Sequence, residues 1–303
     1  MSSFLPDGFT LRRGRSDDVE PVTELVVVEE QAVRGSSQWT QSDTRDWFHD
    51  LSIGGEFWVV EEGTRLVGVL GLFRGDLGRA WISVDPGSTG RGIGSALLGL
   101  AEQRARELGA ARLTLLAFAE NEPATRLLER AGYRDDRHFY RMEVELAERP
   151  VEPDWPNGIA CTTFGVADAR AFHDAVNEAF ADDYGHHPIP FEEWKRMRLE
   201  TPHFDPSLWF VARDADQIAG VCRCTKQRWG CGWIDALGVR RQWRRRGVGS
   251  ALLQHSFREL YDRGEHRVGL GVDTQNPSGA TRLYERAGMH VVAENIIFEK
   301  TLT

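Results

Sequence analysis

The chain has 303 residues, and at about 100–200 residues per domain this length predicts two domains. Hydrophobic residues make up 41% and charged residues 27% of the sequence, which excludes a disordered or collagen-like chain. The net charge of −9 disfavours general nucleic-acid binding. No apolar run reaches the ~18 residues of a membrane span, and the N-terminal residues lack the apolar core of a signal peptide. We therefore expect a cytoplasmic protein without nucleic-acid or membrane partners.

Runs of apolar residues between turn residues predict the same order of elements in both halves of the chain. In each half, three β-rich runs precede a long helix, a short strand and a second helix. In the first half these elements are predicted at residues 57–61, 67–73, 80–84, 94–108, 113–118 and 124–131. In the second half they are predicted at residues 208–213, 218–224, 232–239, 246–263, 268–272 and 278–287. The order predicts a mixed α/β sheet domain that is built twice.

An internal sequence repeat accompanies this order of elements. Arg91–Leu98 recurs as Arg246–Leu253 with seven of eight residues identical. Ala124–Gly132 recurs as Ala280–Gly288 with eight of nine residues identical. The offset between the copies is 155 residues for the first pair and 156 for the second. A period of this size indicates a duplicated domain and not a solenoid.

A segment with three prolines separates the two copies. Pro150, Pro153 and Pro156 disfavour both a helix and a central strand at these positions, which predicts a semi-rigid linker. We therefore expect one domain over residues 1–152 and a second domain over residues 153–303.

A glycine-rich turn lies where the third strand of the second copy runs into the long helix. Gly247 and Gly249 leave backbone N–H groups exposed, and the helix N-terminus adds a positive potential, so the turn is a candidate phosphate site. Arg244, Arg245 and Arg246 add full positive charges beside it. A P-loop needs Gly-Lys-Ser/Thr after the loop, and a dinucleotide fingerprint needs a third glycine. Because the turn has neither, the sequence excludes both of these nucleotide sites.

The turn resembles the pyrophosphate loop of the GCN5-related N-acetyltransferases, the GNAT family, whose pattern is Arg/Gln-x-x-Gly-x-Gly. In this chain the pattern is Arg244-x-x-Gly247-x-Gly249. The resemblance extends to Asn276 after the next strand and to Leu283-Tyr284-Glu285 in the following helix.

The resemblance covers residues 159–303 closely and residues 9–146 more loosely. It implies an α/β fold with two tandem GNAT-type domains, each a mixed, mostly antiparallel twisted sheet flanked by helices. The tandem layout at this length, with the intact motif in the second copy, is similar to that of the mycothiol synthase family.

The resemblance implies an acyltransferase that moves the acetyl group of acetyl-CoA directly to a primary amine, without a covalent enzyme intermediate or a metal. This reaction needs an N–H donor for the tetrahedral oxyanion and a proton for the leaving thiolate. By resemblance, the backbone N–H of Leu237 and the hydroxyl of Tyr284 supply them. The residues implied to bind acetyl-CoA are Leu237, Gly238, Val239, Arg244, Arg245, Arg246, Gly247, Val248, Gly249, Ser250, Asn276 and Tyr284.

Asp235 is the candidate proton acceptor for the attacking amine. It is a carboxylate inside an otherwise apolar strand, and strand alternation predicts it on the same face as Trp233 and Leu237. Burial there would raise its pKa towards the working range. The alternative is a strand-edge aspartate that is hydrogen-bonded to neighbouring backbone. For Asn276 two roles remain open, either orienting the donor or capping the helix that begins after Pro277.

The two copies differ at positions to which the resemblance assigns a function. Thr89 stands where the family has Arg or Gln, and Leu128 stands where the second copy has Tyr284. The first copy is therefore predicted to be degenerate or structural and the second to be catalytic. Two alternatives remain open: the first loop still holds a phosphate through Arg91 and backbone N–H groups, or the first copy is active without the tyrosine.

In this family the first two helices and their connection wall the acceptor pocket. The acidic and aromatic residues of this segment suit a cationic small-molecule amine, but exposed helix-turn residues have the same composition. The residues concerned are Glu178, Asp182, Asp183, Tyr184, His186, His187, Glu192, Glu193 and Trp194.

Other readings of the whole chain also remain open. One is a non-catalytic acyl-CoA sensor or scaffold, and another is acetylation of a protein or peptide amine. A monomer and a homodimer are both compatible with the sequence. Cys161, Cys222, Cys224 and Cys231 do not have the spacing of a zinc site, so we expect no metal.

Overall fold

The computed structural model describes residues 5–75, 77–184, 186, 188–201, 204–276 and 278–302. The helices are α1 (Val19–Arg34), α2 (Gln41–Gly54), α3 (Ile93–Glu107), α4 (Glu122–Arg130), α5 (Ala169–Ala179), α6 (Phe191–Arg198), α7 (Val248–Asp262) and α8 (Ala280–Arg286). The strands are β1 (Thr10–Arg13), β2 (Gly55–Glu62), β3 (Arg65–Phe73), β4 (Leu77–Val84), β5 (Arg112–Phe118), β6 (Arg134–Glu145), β7 (Ile159–Thr163), β8 (Trp209–Asp214), β9 (Gln217–Arg228), β10 (Cys231–Val239), β11 (Arg267–Asp273) and β12 (His290–Thr301).

The first of two compact units comprises the chain up to His138 together with the segment from Glu294 on. Its sheet has the order β1-β2-β3-β4-β5, and the last part of β12 follows β5. Strands β4 and β5 are parallel, and the other neighbours are antiparallel. The strand beside β5 therefore comes from the far end of the chain, with Asn295 opposite Phe118 and Thr301 opposite Arg112.

The second unit, from Phe139 to Ala293, has the same architecture. Its sheet begins with the last part of β6 and continues in the order β11-β10-β9-β8-β7. Here β10 and β11 are the parallel pair, and the other neighbours are antiparallel. Helices α5 and α7 both pack on β9 and β10. The prediction of a mixed, mostly antiparallel sheet flanked by helices is confirmed for both units.

The compact units and the predicted domains divide the chain at different places. The second unit begins at Phe139, inside β6, and the first unit includes the segment from Glu294 on, inside β12. Each of these long strands therefore changes unit along its length. That residues 1–152 and 153–303 form separate domains stays a prediction.

The long helix of each unit begins directly after a glycine in the left-handed region. Gly247 precedes α7 with φ +90°, and Gly92 precedes α3 with φ +87°. A residue with a Cβ would be strained in this conformation, so glycine fixes where each helix starts. The face that α7 buries consists of Val248, Ala251, Leu252, Leu253, Ser256, Phe257 and Leu260.

The helices of the second unit approach its sheet closely from two sides. A Cβ on Gly220 of β9 would lie 3.0 Å from the Leu252 side chain of α7, and a Cβ on Gly238 of β10 would lie 2.7 Å from Ala179 of α5. Gly220 pairs with Val239, the neighbour of Gly238, so the two glycines face opposite sides of the sheet. Helices α5 and α7 therefore flank the end of β10 from opposite faces.

Candidate active site

The strands β10 and β11 pair at their beginnings and then separate. In the described residues, Gly232–Ile234 pairs in parallel with Val268–Leu270. Beyond this point β10 continues along β9, and β11 continues along β6. A gap therefore opens between the ends of two adjacent strands, and backbone groups that a neighbouring strand would otherwise bind face this gap.

Alternation along β10 determines which backbone N–H groups face the gap. The N–H of Arg240 donates to the Ala219 carbonyl oxygen at 3.0 Å and therefore points towards β9. Successive N–H groups of a strand point to opposite sides. The N–H groups of Leu237 and Val239 consequently point away from β9, into the gap. Leu237 and Val239 are both among the residues predicted to bind acetyl-CoA.

A β-bulge lies in β10 at Asp235. Ile234 pairs with Cys224 and Ala236 pairs with Arg223, so Asp235 is the extra residue opposite β9. A bulge bends its strand and increases the local twist. It therefore accompanies the divergence of β10 from β11, which begins directly after Ile234.

Asp235 is predicted to lie on the same face of β10 as Trp233 and Leu237. Because of the bulge, this prediction is right for Trp233 and wrong for Leu237. Asp235 accepts a hydrogen bond of 2.6 Å from Thr225, which pairs with Trp233, so Asp235 lies on the face of Trp233 as predicted. Leu237 instead approaches Gly249 of α7 and lies on the opposite face. The extra residue shifts the alternation by one, and a sequence does not reveal this shift.

Arginines surround the Asp235 carboxylate, whose side chain is 5% exposed. Arg228 donates to it at 2.6 Å. Burial alone would raise the pKa of Asp235, but the charges of Arg223, Arg228 and Arg198 and the Thr225 hydrogen bond lower it by more, so its pKa lies below the ordinary value. The expectation of a raised pKa is therefore wrong. The alternative of backbone bonding also differs from the structure, since both partners are side chains of β9.

Tyr284 lies on α8 and is 7% exposed. Its hydroxyl makes no hydrogen bond to the described residues. Burial, together with the nearby Cys222 and Asp183, raises the pKa of Tyr284 well above its ordinary value. The phenol is therefore protonated throughout the physiological range and can donate its proton.

The glycine-rich turn presents unpaired backbone N–H groups at the start of α7. The first intrahelical bond runs from the Ala251 N–H to the Gly247 carbonyl oxygen, so the N–H groups of Val248, Gly249 and Ser250 have no intrahelical acceptor. A Cβ on Gly249 would meet its nearest neighbours at 3.5 Å, an ordinary contact. The protein itself therefore does not require glycine there, and the small residue leaves room for a ligand, as a pyrophosphate loop needs.

Arg244 holds the turn to α5. It donates from Nε to the Val239 carbonyl oxygen at 3.1 Å and from Nη2 to the Ala179 carbonyl oxygen at 2.8 Å. Asp182 lies 3.4 Å from its Nη1. Because these contacts occupy most of the guanidinium, Arg244 positions the loop, and its predicted binding of the donor stays a prediction.

The next two arginines are better placed to bind an incoming phosphate. Arg245 is exposed, has φ +61° and makes no ion pair or hydrogen bond within the part of the chain that the structure describes. Arg246 has a single distant partner there, Asp214 at 4.0 Å. Their charges are therefore largely uncompensated beside the start of α7.

Asn276 follows β11 and organises a turn. Its Oδ1 accepts a hydrogen bond from the Ser278 N–H at 2.8 Å, and its Nδ2 donates to Asp183 at 3.4 Å. Gly279 is the residue that precedes α8, so the alternative that Asn276 caps this helix is wrong. Burial is the largest effect on Asp183 and raises its pKa. A donor-orienting role for Asn276 stays a prediction.

Two of the acidic residues predicted at the acceptor wall are paired with arginines of the loop. Glu178 lies 2.6 Å from Arg240, and Asp182 lies 2.6 Å from Arg241. These contacts favour a structural role for both carboxylates over recognition of a cationic acceptor.

The other predicted wall residues have varied environments. Trp194 is buried between Phe172 and Trp209 in the core. Glu192 and Glu193 lie in the first turn of α6, where acidic residues stabilise a helix N-terminus. Tyr184 and His186 follow α5 with contacts of their own, and His187 lies outside the described residues.

Sequence reasoning missed the arginines around Asp235, because they come from α6 and β9 and no local pattern links them to β10.

The corresponding cleft of the first unit is built differently. Strands β4 and β5 pair over Leu77–Ala80 and then separate, but the described register of β4 on β3 is continuous, without a bulge. Leu128, at the position of Tyr284, is buried in the core and offers no proton. Thr89 stands where Arg244 joins the second loop to α5, and its short side chain lacks a guanidinium.

The phosphate loop of the first unit is also less open. Arg91 makes two hydrogen bonds to Glu62, at 3.0 and 2.6 Å, and lies over the Phe9 ring at 4.5 Å. A Cβ on Gly94 would lie 3.0 Å from the end of the Leu127 side chain, so the space beside this glycine is tighter than beside Gly249. These differences agree with the predicted degeneracy of the first copy, which stays a prediction.

A family model described as the acetyltransferase (GNAT) family matches residues 23–133 and again residues 170–289. The chain belongs to this family. The family membership, the tandem fold and an acetyl-CoA-dependent acetyltransferase, all predicted from the sequence, are thereby confirmed.

Several named proteins are similar to this chain along most of its length. A mycothiol acetyltransferase of Thermobispora bispora is 31% identical over 242 residues, which cover 78% of this chain and 80% of that protein. A mycothiol acetyltransferase of Kineococcus radiotolerans is 34% identical over 220 residues, covering 70% and 69%.

Among solved structures, a GCN5-related N-acetyltransferase from Sphaerobacter thermophilus superimposes with a TM-score of 0.83 at 32% identity, covering 98% of this chain and 97% of that one. A tandem GNAT protein from the clavulanic acid biosynthesis pathway superimposes with a TM-score of 0.75 at 16% identity, covering 97% and 99%. At this identity the second likeness concerns the fold alone.

None of the helices in the described part of the chain is both long enough and apolar enough to span a membrane. The described residues also contain no group of three or more His, Cys, Asp or Glu side chains that could hold a metal ion.

Proposed function

We propose that the second unit transfers the acetyl group of acetyl-CoA to a primary amine of a small molecule. The observation that carries this proposal is an open gap beside Leu237 and Val239, together with a protonated phenol at Tyr284 that makes no hydrogen bond to the described residues. At the corresponding described positions the first unit has Leu128 in place of the phenol, a continuous register of β4 on β3, and an Arg91 that is paired with Glu62. Catalysis is therefore assigned to the second unit, and the first unit to a structural role.

The donor would enter the gap with its pyrophosphate at the start of α7. Val248, Gly249 and Ser250 offer N–H groups there, and Arg245 and Arg246 offer positive charge. The pantetheine arm would then pair with the N–H groups of β10, as a strand would. Backbone N–H groups bind this arm whichever acyl group the donor carries. They therefore fix the position of the thioester but do not select the length of the acyl chain.

In the transfer itself, the amine nitrogen attacks the thioester carbon, and the Leu237 N–H stabilises the oxyanion of the tetrahedral intermediate. Collapse of the intermediate breaks the carbon–sulfur bond, and Tyr284 donates its proton to the departing thiolate. The nitrogen loses one proton to Asp235, directly or through water. A carboxylate of low basicity suffices for this step, because the nitrogen becomes strongly acidic as the carbon–sulfur bond breaks and the amide forms.

The similarity to proteins named mycothiol acetyltransferases supports an acceptor of the mycothiol type. The surroundings of Asp235 add a feature of their own. Arg198, Arg223 and Arg228 place three positive charges around one carboxylate. An acceptor that also carries oxygen-rich groups fits these donors better than a simple polyamine does.

The proposal is tested by incubating the protein with acetyl-CoA and a panel of amines. The release of CoA is measured, and the products are identified by chromatography. The panel should contain a mycothiol-type amine, an amino sugar, a polyamine and a short peptide. We expect the small amines to be acetylated. Acetylation of the peptide alone would favour a protein or peptide acceptor, and CoA binding without turnover on any amine would favour a sensor.

A matched pair of variants tests which unit is active. Ser250 and Ser95 are both exposed and occupy the same position in the first turn of α7 and α3. Aspartate is well tolerated in the first turn of a helix but would repel a pyrophosphate. We expect Ser250→Asp to lower kcat/KM for acetyl-CoA at least ~10-fold and Ser95→Asp to leave it unchanged. The opposite result would assign catalysis to the first unit.

A further inference from the structure

The side chain of Glu29 extends from α1 into the cleft of the first unit. Its carboxyl group lies where β4 and β5 separate. Its Oε2 accepts a short hydrogen bond from the hydroxyl of Ser83 on β4, and its Oε1 lies 3.3 Å from Nδ2 of Asn121, the residue that caps α4 after β5. Ser83 is completely buried. The carboxyl group is therefore bonded to groups on both sides of the gap.

A backbone N–H of β4 faces the gap near the same carboxyl group. The N–H of Asp85 donates to the Val67 carbonyl oxygen of β3 at 3.0 Å, so alternation turns the Val84 N–H away from β3 and into the gap. The Val84 backbone lies near the Glu29 carboxyl group and favours its ionised form. Val84 corresponds to Val239 at the offset of 155, whose N–H faces the gap of the second unit.

The second unit has small residues where the first has this contact. Glu29 is the eleventh residue of α1, and Ala179 is the eleventh residue of α5. Ser83 corresponds to Gly238 at the offset of 155, and a Cβ on Gly238 would lie only 2.7 Å from Ala179. A methyl group facing a glycine cannot reach across the gap. The two units therefore differ by one pair of positions at the point where a donor would bind to β10.

We propose that the Glu29 carboxyl group occupies the place of the pantetheine arm in the first unit, so that this unit does not bind acetyl-CoA and the chain has a single donor site. The proposal rests on the proposed function in one respect, that the donor of the second unit binds in the gap beside β10. A donor entering the first unit would have to break the hydrogen bonds from Ser83 and Asn121 to Glu29 and leave a partly buried carboxyl group without these partners, which is costly.

Calorimetric titration of acetyl-CoA into the full chain tests the proposal. We expect one equivalent to bind to the unmodified protein. The double variant Glu29→Ala/Ser83→Gly copies the small pair of the second unit, and we expect it to bind two equivalents. Adding Ser250→Asp to this double variant should remove the original site and leave one equivalent. Glu29→Gln retains the size and the acceptor oxygen of the side chain and should still bind one equivalent.

The possible outcomes separate this proposal from the proposed function. Two equivalents on the unmodified protein, or one equivalent on a folded Glu29→Ala/Ser83→Gly variant, would overturn the closure of the first unit. No binding to the unmodified protein with one equivalent on the double variant would support the closure and refute a donor site in the second unit. No binding to either protein would overturn both.

One further variant does not depend on whether the double variant folds. If the first unit has no donor site, Ser95→Asp leaves both the stoichiometry and the affinity of acetyl-CoA unchanged. A fall in stoichiometry from two equivalents to one in this variant would contradict the proposal directly.

Discussion

The Arg228 guanidinium donates a 2.6 Å hydrogen bond to the Asp235 carboxylate at the bulge of β10. Asp235 is therefore a buried acid that stays ionised, since the arginines and Thr225 outweigh the effect of burial on its pKa. In the proposed reaction it accepts a proton from a strongly acidic nitrogen, and it does not need a pKa near neutrality.

We expect Asp235→Asn to lower kcat by about 100-fold or more, the usual effect of removing a group that transfers a proton. Because the pKa of Asp235 lies below its ordinary value, the pH profile of kcat/KM should have no acidic limb from this group above about pH 5. The profile of the variant should therefore keep its shape at a lower level. Measuring kcat and kcat/KM across pH for both proteins checks this. A kcat of the variant within twofold of that of the unmodified enzyme would exclude the role.

Tyr284→Phe should lower kcat by about 100-fold and leave the acetyl-CoA dissociation constant unchanged, because the phenol acts on the leaving thiolate. The raised pKa of Tyr284 also predicts no basic limb from this group up to about pH 9. Tyr261→Phe, on the neighbouring α7, is the matched control and should behave as the unmodified enzyme. Equal activity of both variants would remove Tyr284 from the mechanism.

Arg244 and Arg245 should respond differently to alanine substitution. Arg244→Ala loses two hydrogen bonds to backbone carbonyl groups and should destabilise the second unit by about 1–2 kcal/mol. Arg245→Ala loses no hydrogen bond or ion pair with the described residues and should weaken acetyl-CoA binding without a change in stability. Urea unfolding and calorimetry on the same samples measure both quantities. A stability loss in Arg245→Ala alone would reverse this assignment.

The stability of the first unit should depend on the ionisation of Glu29. Burial raises the pKa of Glu29 from 4.5 to about 7, so the folded state holds its proton more tightly than the unfolded state does. The contribution of this group is therefore most favourable at low pH and is lost as pH rises from about 4.5 to about 7. The free energy of unfolding of Glu29→Gln, measured relative to that of the unmodified protein, should therefore rise by about 2 kcal/mol from pH 5 to pH 8. An equal stability difference at both pH values would contradict this.

The duplicated fold and the glycine-rich turn could be predicted from the sequence because local signals specify both. Gly247 begins α7 where the turn motif predicts a helix, and the repeated motifs mark the same turn in both units. The environment of Asp235 could not be predicted, since a single extra residue in β10 shifts the alternation and the arginines come from distant segments. These features depend on pairing between strands, which one sequence does not reveal.

Glu29 is a case in which a signal was present. Val22, Leu25, Val26 and Glu29 have the i, i+3, i+4, i+7 spacing of one helix face, and the first three are buried. An acidic residue that continues an apolar face needs partners for its charge. Its partners, Ser83 and Asn121, lie too far along the chain for the sequence to identify them.

The position of β12 determines the order in which the units can be completed during synthesis. The first unit needs residues 295–301 to cover the edge of β5, and Phe298 and Leu302 fill its core. These residues follow the whole of the second unit along the chain, so a ribosome delivers them after it. Until then β5 is an open edge that can pair with other chains. The first unit can therefore be completed only after the residues of the second unit have been synthesised, whereas domains usually become complete in chain order.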